Sequence, residues 1–194
     1  MPSPGEVLFY LRGLWLLFRG DAGHARYLDF TERGFRRSFW AFAYSLPMMV
    51  ISELLTLSRL SRVPVEIDAT VIFRSALIQG LSWMAPLVVI GVVCLVSGLP
   101  RAFLKVVVAT NWLSLPINLI AVIAIFLAAT GLEPLASLVL ILLQVVVLAA
   151  FLFEIRIVYM LMGERALPTA AAVIASAMTA LIITDFGTRY IVGL

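Results

Sequence analysis

Four ionisable residues stand inside or at the margins of long apolar stretches: Glu53, Arg74, Asp185 and Arg189. A charged side chain at the centre of a membrane helix costs about 2.5–3.5 kcal/mol on insertion scales, so each needs a partner or a wet surface. Counting about 1.5 Å per residue from Ser38 puts Glu53 about 22 Å along its helix. Arg74 opens the next apolar stretch from that same side, and Asp185 and Arg189 lie near the end of the last one. The four charges thus fall at similar depth. The expected chemistry is ion pairing, Glu53 with Arg74 between helices and Asp185 with Arg189 within one. The latter stand at i, i+4 with the acid N-terminal, the favourable order. A polar pocket open to one face is the alternative. Glu154 and Arg156 end another stretch, where anchoring at the interface is a sufficient role.

A second set is uncharged. Asn111, Ser114 and Asn118 share one face of a helix, Ser75, Gln79 and Ser82 share one face of another, and Gln144 lies near the middle of a third. Ser38, Ser45 and Ser52 recur every seven residues, the spacing of a left-handed helix–helix seam. Ala172, Ser176 and Ala180 recur every four, which lets backbones approach closely. Interhelical hydrogen bonds of this kind contribute about 0.6–2 kcal/mol each. Pro47, Pro86 and Pro116 fall inside three consecutive stretches, and each frees the carbonyl four residues back. Bundle cohesion is the default reading of these residues; a permeation path is the competing one.

Catalytic patterns are missing. The sequence has no Gly-rich phosphate loop, no Ser-x-Gly elbow, no HExxH and no paired acidic metal site. Cys94 is the only cysteine and His24 the only histidine, which excludes an intrachain disulfide, a thiolate cluster and a His-based metal triad. No enzyme activity, metal or cofactor is expected. A spaced basic and aromatic surface for nucleic acid is likewise not seen.

The elements that must carry these residues follow from composition. Hydrophobic residues make up 63% and charged ones 13% of the 194, whereas soluble chains carry about a quarter charged. Lipid must be the solvent for most of this chain. Five stretches reach the length of about 20 residues that a crossing needs, roughly 38–58, 71–97, 104–129, 134–161 and 167–192. SGLPR, TGLEP and GERALP place Gly or Pro where a helix must stop, giving tight antiparallel hairpins. The predicted fold is all-α, a polytopic transmembrane bundle of about five spans. It divides into a cytosolic or interfacial segment, 1–37, and a five-span domain, 38–194.

Residues 6–19, EVLFYLRGLWLLFR, are apolar but short and interrupted by Arg12. Arg12 and Arg19 fall on one helical face beside Trp15, so the segment is read as an amphipathic helix along the inner surface, both Arg side chains snorkelling to phosphate. Arg12 also breaks the h-region of any signal peptide. Bases set orientation. With the N-terminus inside, the inner segments hold ten bases and the outer ones four, namely Arg59, Arg62, Arg74 and Arg189. The expected topology is N-terminus cytoplasmic and C-terminus outside. Thirteen of the fourteen bases are Arg, which with abundant Ala, Leu and Val points to a GC-rich genome and a bacterial inner membrane.

RSFWAFAYSLP opening the first span, the N-terminal segment of about 37 residues, the tight hairpins and the inside-to-outside topology resemble the five-span Yip (Ypt-interacting protein) family and its bacterial relatives. The resemblance covers the helical region by pattern. Residues 20–37 lack the acidic-proline and Gly-Pro signature of eukaryotic members, so neither a functional residue nor their small-GTPase partnership carries over. The resemblance implies a non-enzymatic membrane scaffold or bilayer-shaping protein. Residue chemistry agrees with a scaffold, assembly factor or small subunit, with lipids and either a membrane-protein partner or a second copy as its company. A small transporter or channel for an ion, lipid or apolar solute is the other class.

Overall fold

Caps and turns decide where the helices begin and end. A computed structural model describes residues 2–60 and 65–192 of the chain. Helix α1, Pro4–Phe18, starts where the Ser3 hydroxyl accepts from the Glu6 amide and Pro4 occupies the first turn. A 3₁₀ turn, Ala22–Arg26, is capped by Asp21. Helix α2, Glu32–Leu55, then runs on into a π turn at Thr56–Leu60. It is followed by α3, Ala69–Val96, α4, Pro100–Ala128, α5, Glu133–Leu161, and α6, Ala166–Val192. Gly98, Gly131 and Gly163 sit at φ of +68°, +83° and +71° just past three helix ends, a backbone conformation that side chains resist.

Helices α2 to α6 are each long and apolar enough to cross a membrane, and the described residues contain no strand. The chain is an integral, multi-pass membrane protein built as a helical bundle. The first span begins as a helix at Glu32 rather than at Ser38, where its apolar run starts. The reason is local. Asp29 Oδ1 accepts from the amide and hydroxyl of Thr31, and Thr31 in turn accepts from the Gly34 amide, so the polar Arg33–Arg37 turn is already wound. A side chain at Gly34 would overlap the Asp29 carbonyl.

The bundle has two ends. The near face carries residues 19–31, the α3–α4 turn and the α5–α6 turn; the far face carries the α2–α3 connection, the α4–α5 turn and the end of α6. Arg62, counted above among the far-side bases, lies outside the described residues. Helix α2 packs along α4, α3 along α6, and α5 along α4. Both small-residue seams are used: Ser38, Ala41 and Ser45 are buried on α2, and Ala172 and Ser176 are buried on α6. Gly187 continues the second seam, lying so close to Ile78 of α3 that any Cβ would collide with it.

Helix α1 does not lie along the near surface as expected but packs down the flank of the bundle, its last turn at Phe153 of α5 and its first turns at residues 115–119 of α4. Tyr10, Leu14 and Leu17, spaced i, i+4, i+7, join Ala41, Val108, Ala109, Trp112 and Ile157 in the largest core cluster. Its first turns meet Tyr44, Leu115, Pro116 and Leu119, enclosing an apolar crevice, and the Tyr44 hydroxyl donates to the Pro2 carbonyl at 3.0 Å. Its last turn stacks Phe18 on Phe153 of α5 at 4.3 Å. The Tyr10 ring lies flat on buried Trp112 at 4.4 Å. Burial, then the neighbouring Glu6 carboxylate, push the Tyr10 phenol above its ordinary value, so it stays a neutral donor to Glu6. Glu6 also pairs with Arg37 at 2.7 Å, tying α1 to the first turns of α2.

The expected anchor residues line the opposite, open face of α1. Arg12 is exposed over the Tyr27 ring, 5.4 Å from its centroid, Arg19 is exposed at the helix end, and Trp15 is half-open and stacked with Phe18.

Candidate functional site

Two polar stripes meet inside the bundle. Asn111 of α4 is buried, and it is the node of a three-helix network. Its Nδ2 donates to Ser38 Oγ of α2 at 2.9 Å, and its Oδ1 accepts from Trp83 Nε1 of α3 at 3.1 Å. The Ser38 hydroxyl itself donates to the Phe35 carbonyl at 2.7 Å. An asparagine amide fits this place because it donates and accepts at once. These bonds fix the register of α2, α3 and α4 at one depth.

Beside this node lies a cleft of about 260 Å³ between α3, α4 and α5. Ser82, Trp83 and Pro86 line it from α3, Thr110, Asn111, Ser114 and Asn118 from α4, and Glu154 from α5. Asn111, Ser114 and Asn118 share a face because they are spaced i, i+3, i+7. Ser82 belongs to the matching stripe on α3. Gln79 is half-buried one turn earlier, and Ser75 is fully buried with its hydroxyl unpartnered. Sequence reasoning found both stripes. It missed that they face one another, since nothing in one helix states the rotation of its neighbour.

Glu154 is the larger surprise. Proximity to the helix end reads as an anchor beside Arg156, yet the two residues, about 200° apart around α5, do different things. Arg156 is exposed and reaches the Phe18 carbonyl of α1 at 3.5 Å. Glu154 turns inward, half-buried, onto the cleft, and among the described residues it makes no ion pair. A signal was present: Glu154 lies one turn before the buried Ile157 and Val158, hence near the inward face.

The far-side quartet divides. Asp185 and Arg189 pair as expected, at 3.1 Å, both largely exposed. The pair expected between Glu53 and Arg74 is not formed. Arg74 instead donates to the Tyr190 carbonyl of α6 at 3.2 Å and sits over the Tyr190 ring at 4.9 Å. The physical reason is packing: α3 lies along α6, so Arg74 is presented to that helix. Glu53 is half-buried on α2, without an ion-pair partner among the described residues.

Gln144 joins neither the cleft nor the quartet. It is exposed halfway along α5, flanked by Ile141, Val145 and Leu148, all exposed as well. Of the expected polar residues, then, the structure gathers Asn111 and Asn118 at the cleft, keeps Gln79 on the stripe leading to it, and leaves the quartet and Gln144 elsewhere. No group of three or more His, Cys, Asp or Glu residues placed to hold a metal ion occurs among the described residues. No family model, curated protein or solved structure matches this chain.

Proposed function

We propose that this protein is a non-enzymatic scaffold or subunit that associates, through α5, with other helices in the membrane. One observation carries the reading: the far half of α5 is apolar, has no residue buried against the described residues, and exposes Gln144 at mid-depth. A side-chain amide facing hydrocarbon leaves its donors and acceptor unpaired, a cost that a polar group on a neighbouring span removes. Such an interhelical bond contributes about 0.6–2 kcal/mol, or about three- to thirty-fold in association. Gln144→Leu is expected to shift the protein toward smaller species in light scattering after mild detergent extraction, while Gln144→Asn holds it near the wild-type size. Equal sizes for wild type and Gln144→Leu would rule the helix out as the contact. The scaffold role implied by the Yip resemblance belongs to the same class.

A second reading, a carrier of a small solute, takes its support from the Glu154 cleft. In either case the base count supports a cytoplasmic near face, and the Arg-rich composition supports a bacterial inner membrane. Cysteines placed at Arg33 and at Thr130 in a Cys94→Ser background test this. Only the Thr130 site should react with a membrane-impermeant maleimide added to intact cells; labelling at Arg33 instead would invert the topology.

A further inference from the structure

The chemistry of the cleft wall names the kind of ligand it suits. Its hydroxyl protons are already committed: Thr110 donates to the Val106 carbonyl at 3.0 Å and Ser114 to the Asn111 carbonyl at 2.6 Å. Their remaining lone pairs are acceptors. The Asn111 amide gives one Nδ2–H to Ser38, and its Oδ1 accepts from Trp83. Pro86 has no N–H to give the Ser82 carbonyl four residues back, and both residues stand in the wall. Glu154 adds a carboxylate, whose ionised form has acceptors and no donor. Beyond the Asn118 amide, the second Asn111 Nδ2–H and the Ser82 hydroxyl, the polar part of the wall therefore offers acceptors and one negative charge, and Met49, Leu87, Leu113 and Ile117 make up an apolar part. Its complement is a cation rich in N–H donors. Volume then favours an organic cation over a bare one: about 260 Å³ is far more than a single desolvated alkali ion fills.

We propose that the cleft between α3, α4 and α5 binds a primary ammonium group, with Glu154 as its counter-charge and the Thr110 and Ser114 hydroxyl oxygens as its acceptors. Two sources carry that group, a free small amine and the headgroup of an ethanolamine lipid. Glu154 stands about 10 Å from the near-face end of α5, within reach of either. The inference concerns binding rather than passage, and it does not depend on association through α5.

The full-length protein in phosphatidylcholine nanodiscs, titrated calorimetrically with ethanolamine at neutral pH, tests it. Saturable binding at one site per chain is expected. Tetramethylammonium, a cation without N–H groups, and Glu154→Gln should each weaken binding about ten-fold or more, since a charged hydrogen bond is worth about 1.5–3 kcal/mol. Asp185→Asn, remote from the cleft, should leave it unchanged. Discs containing phosphatidylethanolamine separate the sources: ethanolamine binding falls there if the lipid headgroup occupies the cleft and is unaltered if a free amine does. Lack of saturable ethanolamine binding in phosphatidylcholine discs overturns the proposal. So does equal affinity for tetramethylammonium, full displacement by equimolar sodium, or undiminished binding to a folded Glu154→Gln protein. The comparison of wild-type ligands decides the matter even if that variant does not fold.

Discussion

The near half of this bundle holds the larger packed clusters, and the far half a smaller one of Leu57, Val71 and Ile191. In the near half, α1 wedges against α4 and α5, and Val106, Val107, Val108, Ala109 and Trp112 have no accessible surface at all. In the far half, Leu138, Ile141 and Val145 of α5 are each more than half exposed, as are Ile123 and Phe126 of α4. Yet α5 is the most apolar of the five spans and α2, with its buried serines, the least. Hydropathy therefore marks what leaves water, and says little about whether protein or lipid receives it. In a membrane, apolar side chains gain little by choosing protein over lipid tails, so shape and hydrogen bonds decide which half packs.

That contrast can be broken by truncating one large side chain in each half. Trp112→Ala removes the floor on which Tyr10 stacks and opens a cavity under α1, and a loss of about 3–5 kcal/mol is expected for a core aromatic. Leu138→Ala, in the far half, should change stability by less than about 0.5 kcal/mol. Denaturation in mixed micelles, followed by tryptophan fluorescence and by protease access to residues 19–31, reads both. Comparable losses would mean that α5 is covered by a partner in the purified state, which would itself strengthen the assembly reading. A small loss at Trp112 would instead remove α1 from the core.

How much of this was legible depends on which distance a residue's meaning spans. The five spans and their turns were readable, because length, hydropathy and the Gly and Pro stops are local. The seams at Ser38 and Ser45 and at Ala172 and Ser176 were readable from their periods, and the i, i+4 pair of Asp185 and Arg189 from its spacing. What depends on the rotation and vertical offset of neighbouring helices was not. Asn111 of α4 meets Ser38 of α2, although Asn111 is farther from its helix start, so α4 projects beyond α2 at the near face. That offset carries Tyr10 onto Trp112, and no single stretch encodes it. Glu154 was misjudged for a related reason, since nearness to a helix end hid the inward direction of its side chain. Arg74 was assigned to the adjacent span in sequence, whereas the adjacent span in space is α6.

The charged residues of the far half sharpen the comparison at its small end. Arg189 and Asp185 are 63% and 62% exposed, so screening and side-chain entropy leave their pair below about 0.5 kcal/mol. Between Glu53 and Arg74 the structure shows no contact, and two unconnected sites add to within about 0.3–0.5 kcal/mol. Glu53→Gln, Arg74→Gln and the double variant should therefore show additive changes in melting, with Arg74→Gln carrying the larger single effect. That variant gives up the bond to the Tyr190 carbonyl and the contact with its ring, which together join α3 to α6. Tyr190→Leu separates the two parts, because it removes the ring and keeps the carbonyl. A coupling energy above about 1 kcal/mol between Glu53 and Arg74 would show the two charges meeting across α2 and α3 after all. The far half would then be closed by an ion pair in the same way that Asn111 closes the near half, and the contrast between the two would shrink to the uncovered face of α5.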